Sequence, residues 1–158
     1  MNRRIPAPNG TVFLVPLRDG GYATGVLARA TGEGHALGYF FGPRVSKASD
    51  VDMAKLVPEN ALLIGKFGDL ELLRKNWPLV DALKDWTPSD WPMLPMARID
   101  EAAGRAWLST YDDSFNCVKE TEIDIDTASR YPYDRMMGAG AVEIRLTNLI
   151  RSAEESQG

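Results

Sequence analysis

Residues Thr11 to Gly42 read TVFLVPLRDGGYATGVLARATGEGHALGYFFG, three strand-like runs separated by short turns. In Thr11 to Leu17, strand alternation sends Phe13, Val15 and Leu17 to one side and Val12 and Leu14 to the other. Both faces are therefore apolar, which predicts a strand buried on both sides. Asp19-Gly20 supplies the positive backbone angles of a tight hairpin turn, and Tyr22 to Ala30 returns as a second strand. Thr31-Gly32-Glu33-Gly34 turns the chain again into His35 to Phe41. Gly25, Gly38 and Gly42 sit within or at the end of these runs, where glycine weakens a flat strand but permits sharp coiling or close approach. The stretch predicts a strongly curved antiparallel sheet or half-open barrel.

Working outward, Pro43 and the polar run to Ser49 close this meander. Ser49 followed by Asp52 resembles a capping box that opens a short middle helix through Leu56. Asn60 to Phe67, NALLIGKF, bounded by Pro58 and Gly68, reads as a central strand over residues 60–68. Asp69 to Lys75 reads as a polar connection. Residues 77–95 hold Trp77, Trp86 and Trp91 among prolines, which predicts irregular or edge structure wrapped over the core. Met93 to Asp100, Arg105 to Tyr111 and Asn116 to Ile123 read as a second meander within 96–123.

Near the C-terminus, Val142, Ile144 and Leu146 alternate like a strand, while Ala139, Val142, Leu146, Leu149 and Ile150 follow helical spacing. The helical pattern is longer and its residues are good helix formers, so a helix is expected over 138–151, with SAEESQG fraying. The whole is read as one α+β, mainly antiparallel β domain, residues 1–158. At this length folding buries roughly 68–70% of the unfolded chain's surface, enough for a real core.

Hydrophobic residues make up 44% and charged residues 25% of the chain, close to soluble averages. No apolar run approaches the roughly 20 residues of a membrane helix, and MNRRIPAPNG has no apolar stretch behind its arginines. A single cysteine, Cys117, cannot form an internal disulfide, which fits the cytoplasm. Its valine and phenylalanine neighbours suggest a packed thiol. Lys and Arg total 18 against 22 Asp and Glu, a net charge of −4. That balance disfavours nucleic acid as a direct ligand and permits a basic protein partner. No pattern sets an oligomeric state.

Reactive groups are sparse. His35 is the sole histidine, read as a partly exposed strand residue or one ligand of a carboxylate-rich metal site, and an imidazole-rich zinc centre is disfavoured. No G-x-S-x-G elbow is present, and the glycines of Thr31 to Gly34 open a strand where phosphate cradling needs a helix start. No catalytic residue, metal site or cofactor is assigned. Asp112 and Asp113 with Glu120, Glu122, Asp124 and Asp126 form the densest acidic region, and the last four would share one strand face. That row can be a solvated face, a partner contact or a cation site. The tryptophans of residues 77–95 can lid a barrel or anchor a partner. The candidate partner-binding residues are Asp112, Asp113, Glu120, Glu122, Asp124, Trp86 and Trp91.

The order of several motifs carries a resemblance. Val15-Pro16-Leu17 is followed by Asp19-Gly20-Gly21-Tyr22-Ala23-Thr24-Gly25-Val26-Leu27 and Gly38-Tyr39-Phe40-Phe41-Gly42. Leu63-Ile64-Gly65-Lys66-Phe67-Gly68-Asp69 and Trp77-Pro78 come next. Together they resemble the bacterial immunity protein 26 family, well over Thr11 to Pro95 and loosely over Gly138-Ala139-Gly140-Ala141-Val142-Glu143. The resemblance implies a small cytoplasmic protein that binds and blocks a polymorphic toxin. Some relatives carry a phosphotriesterase label, so a small metal-dependent hydrolase is the alternative expectation.

Overall fold

The computed structural model describes residues 6–157; the basic start at Arg3 and Arg4 and the terminal Gly158 lie outside them. The first sheet contains β1 (Thr11–Pro16), β2 (Tyr22–Ala30), β3 (His35–Val45), β4 (Leu63–Gly68) and β5 (Leu79–Ala82), all antiparallel in the order β4-β3-β2-β1-β5. A second antiparallel sheet, β6 (Met96–Asp100), β7 (Arg105–Tyr111) and β8 (Cys117–Ile123), follows the chain order. Neither sheet closes, so the architecture is mainly antiparallel β with short helices and one long C-terminal helix.

The two-faced apolarity of β1 decides the layering. Phe13, Val15 and Leu17 enter one buried cluster with Phe40, Phe67 and Trp77. Val12 faces a second cluster with Tyr39, Phe41, Trp91 and Met96. The first face is roofed by α3 (Ala139–Ser156), whose Val142, Leu146 and Ile150 recur every four residues and so line one side of the helix. The aromatic set is tightly coupled: Phe13 stacks on Trp77 with centroids 5.9 Å apart and planes 7° off parallel, and meets Phe40 edge-on at 6.0 Å.

Gly25 and Gly38 are seats for these rings. A Cβ at Gly25 would lie 2.4 Å from the Phe13 ring, and one at Gly38 would lie 2.6 Å from Phe40. The close approach anticipated for glycine in a curved sheet is thus made by phenylalanine rings lying over bare backbone.

A register shift in the β2–β3 ladder leaves Ala28 unpaired between the Leu27–Gly38 and Arg29–Leu37 pairs. A bulge of this kind re-aims side chains. Ala28 joins the second cluster, and Arg29 reaches the carbonyls of Trp91 and Pro88 on that side.

Several expectations are corrected. The run expected to be a central strand is β4, at the sheet edge, because β5 adds to the opposite side of β1. Its outer side is nevertheless partly paired: Met137 N donates to Lys66 O at 3.0 Å and Gly68 N to Met137 O at 2.9 Å. The third strand runs through the cis Gly42-Pro43 bond to Val45. The middle helix is two 3-10 turns, Ala48–Asp50 and Met53–Lys55, with Asp52 accepting from Ala54 N in place of a Ser49 cap. A further 3-10 turn spans Pro58–Asn60, and the supposed connection after Asp69 holds a single α-turn, α1 (Leu70–Leu73).

Further corrections concern the second sheet and the tail. Met93 to Pro95 precede β6 and pair with nothing in its ladder. α3 continues to Ser156, beyond the expected end at residue 151, and near its end Glu154 accepts from two Arg44 nitrogens at 3.0 and 3.1 Å. Cys117 is exposed on the outer strand β8, beside the register shift at Thr110/Tyr111, so the thiol is not packed. Trp107 is half-buried on the open face of the second sheet and does not belong to either main cluster.

Candidate partner-binding surface

The carboxylates expected to meet a partner all have internal employment. Asp112 accepts from the backbone N–H groups of Ser114 and Asn116, both at 2.9 Å, and bracing the β7–β8 turn holds its carboxyl below the ordinary 3.8. Asp113 receives Arg29 Nε at 2.9 Å. Glu122 takes both Arg105 nitrogens at 3.2 and 2.7 Å, and Glu120 lies 3.4 Å from Arg98. The two guanidinium groups also cover the Trp107 ring, at 4.3 Å for Arg98 and 5.1 Å for Arg105. The open face of the second sheet is therefore a ladder of paired charges on either side of an indole.

The shared acidic face breaks at Ile123, where β8 ends. Asp124 turns to cap α2 (Ile125–Ala128), accepting from Thr127 N at 2.7 Å and Thr127 Oγ1 at 2.9 Å, and Asp126 lies in that helix. The backbone and hydroxyl bonds from Thr127 depress the Asp124 carboxyl.

The tryptophans separate by depth. Trp91 is 4% exposed and edge-on to Tyr39 at 5.0 Å, so it is a core ring and not a surface anchor. Trp77 is wholly buried, with its Nε1 donating to Glu143 at 2.9 Å. Trp86 is half-buried beneath the Arg29 guanidinium, 5.5 Å from the ring centroid. It lines an open groove of about 760 Å³ with Leu56, Val57 and Leu83, rimmed by Glu59, Asp81, Asp85 and Asp90. Among the expected residues, Trp86 and Trp91 both line this groove, Trp86 half-buried and Trp91 only 4% exposed at its floor.

The densest grouping of contact-suited side chains lies elsewhere, in Arg130 to Met137, RYPYDRMM. The signal was legible in the sequence as a run of Arg, Tyr and Met, residue types enriched at protein interfaces. The segment leaves α2 and is stitched to both sheets. Ala97 N donates to Pro132 O and Asp134 N to Ala97 O, each at 2.8 Å, fixing it to β6, while Met137 pairs with β4. Asp134 turns inward and receives Lys66 Nζ and the Tyr111 hydroxyl, each at 2.6 Å. Lys66 also lies 4.7 Å from the Tyr111 ring centroid. Burial first, and the hydrogen bond to Asp134 second, raise the Tyr111 phenol well above its ordinary range.

With Asp134 inward, Tyr131, Tyr133, Arg135 and Met136 point outward and are exposed. They line two clefts of about 550 and 500 Å³ that share Ile64, Tyr133 and Arg145. His35, the remaining candidate for chemistry, packs edge-on to Phe115 at 5.4 Å. Among the described residues no three His, Cys, Asp or Glu side chains gather as a metal-holding group. Among them, too, no helix is long and apolar enough to cross a membrane.

An open sheet with both faces filled, and clefts rimmed by tyrosine, methionine and arginine, has the surface chemistry of an interaction protein. Residues 8–108 match the family model described as Immunity protein 26, and the chain belongs to that family. The match takes in the whole first sheet and ends within β7. No curated protein and no solved structure matches the chain. Family membership implies a role in toxin immunity and a protein toxin as partner.

Proposed function

We propose that this chain neutralises a bacterial polymorphic toxin in the cytoplasm by binding it and covering its working surface. The observation that carries the reading is the family match across residues 8–108. Two structural features support it. Both faces of the first sheet are occupied by the protein's own side chains, so function falls to edges, clefts and the second sheet. Those surfaces carry half-buried and exposed aromatic and arginine side chains of the kind that anchor protein partners.

The test is coexpression in bacterial cells of this chain and the toxin domain encoded in the neighbouring reading frame, together with purification of the pair. Restored growth and a complex that survives size exclusion are expected. Continued killing, with the two proteins eluting separately, overturns the reading.

A further inference from the structure

We propose that the paired clefts beneath Arg130, Arg135 and Arg145 are the docking site for an acidic, aromatic-bearing protein segment. The inference rests on the immunity reading for the partner's class and on this chain's own charges for its chemistry.

Among the described residues, Arg18, Arg29, Arg44, Arg74, Arg98, Arg105 and Arg151 each hold a carboxylate within 3.7 Å. Arg130, Arg135 and Arg145 make no such ion pair, and of the three only Arg130 lies near enough to a carboxylate, Asp124, to add to the depression that the Thr127 bonds produce there. Those three line the same two contiguous clefts, and no carboxylate lines either one. The one contact of this kind is soft, Arg145 Nη1 to Met137 Sδ at 3.6 Å. In a chain with a net charge of −4, a patch that collects the unpaired guanidinium groups and excludes acids is complementary to an anionic ligand.

The rest of the lining restricts what that anion is attached to. Tyr131, Tyr133 and Met136 are 36, 51 and 44% exposed, and Leu62 at one end of the pair is 39% exposed. Apolar and aromatic surface interleaved with forked donors suits carboxylates borne on a chain with apolar side chains. A long polyanion such as nucleic acid fits less well, because counterion release needs many clustered cations and the molecule as a whole is acidic. The groove beside Trp86, rimmed by four carboxylates, has the opposite sign. The sequence pointed to acids and to Trp86 and Trp91 as the contact residues; the cleft pair instead presents arginines with no ion pair.

The test uses the full chain and a fluorescent random copolymer of glutamate and tyrosine, with polyglutamate, polylysine and oligothymidylate as comparisons. Wild-type protein is expected to bind the copolymer more tightly than any of the three. R130E/R135E/R145E is expected to bind it roughly tenfold or more weakly, with unchanged circular dichroism and melting. K47E/K55E/K119E makes the same change in net charge on exposed lysines elsewhere and is expected to bind like wild type. No copolymer binding, equal losses in both triple variants, or tighter binding of oligothymidylate each overturns the proposal. The two readings fail separately. A neighbouring toxin ignored by wild type defeats the immunity role while copolymer binding upholds the cleft. A toxin still neutralised by R130E/R135E/R145E defeats the cleft and leaves the role standing.

Discussion

The Trp77 indole N–H donates to Glu143 Oε2 at 2.9 Å, joining the ring at the centre of the first core to the helix that covers it. The same carboxylate takes Arg18 Nε at 3.1 Å, and Arg18 N donates to Thr147 Oγ1 at 3.0 Å one turn further along α3. Helix and sheet are thus registered by polar bonds as well as by Val142, Leu146 and Ile150. Removing the acceptor leaves a buried donor unsatisfied, so Glu143→Ala should cost about 1–3 kcal/mol. Glu143→Gln keeps an oxygen in place and should lose less than half of that. Denaturant melts of the two variants make the comparison, and equal losses would show that the bond to Trp77 contributes nothing.

Gly25→Ala and Gly38→Ala force a Cβ into rings that have no free volume to move into. Overpacking of this type costs about 1–3 kcal/mol. Gly68→Ala is the control, since its nearest contact would be Gly34 O at 3.9 Å, and it should stay within about 0.5 kcal/mol of wild type. Chemical denaturation measures all three.

Arg29 and Asp113 form one ion pair with unequal ends. The Arg29 side chain is 6% exposed and also donates to Ala28 O at 2.7 Å, Trp91 O at 2.9 Å and Pro88 O at 3.1 Å, whereas the Asp113 side chain is 69% exposed. Arg29→Ala strands three carbonyls and should destabilise by about 3 kcal/mol or more. Asp113→Ala loses a largely solvated contact and should cost no more than about 1 kcal/mol. Similar losses for both would mean that the carboxylate, and not the carbonyls, holds the guanidinium in place.

Tyr39 donates its hydroxyl to Pro92 O at 2.6 Å, and burial pushes its phenol from 10.0 up to about 12 against the opposing pull of Arg29. The raised value means that the fold favours the neutral phenol. Its stabilisation is intact below pH 10 and is lost as pH rises towards 12. Tyr111 acts in the same direction. Melting temperature should therefore fall steeply over that range, and Tyr39→Phe should flatten the fall while losing about 1 kcal/mol at neutral pH from the missing hydrogen bond. An unchanged alkaline limb in Tyr39→Phe would contradict this assignment.

The meander from Thr11 onward was legible because its signals are local: apolar residues on both faces of one strand, and glycine turns at Asp19-Gly20 and Thr31 to Gly34. The edge position of β4 was not legible, since NALLIGKF has the composition of a central strand and its outer partner, Met137, lies far along the chain. The acidic row misled for a related reason. Glu120 and Glu122 look unopposed until the ladder sets Ser109 and Trp107 opposite them and brings Arg98 and Arg105 within reach on the same face, and Asp124 looks like a strand residue until the chain turns into α2. That Arg130, Arg135 and Arg145 lack a close ion pair emerges only after every other described arginine has found its carboxylate. The density of Arg, Tyr and Met in RYPYDRMM was the available clue.

Asp134 sits below the two clefts and is bonded to a strand of each sheet, through Lys66 in one and Tyr111 in the other. The rim above it is consequently a stiff template, shaped before any visitor arrives. A visitor would meet it as a lock already cut, without the entropic toll of ordering a loop. Loosening this hidden strut would blunt recognition by letting the rim wander, even though Asp134 itself touches nothing outside the molecule.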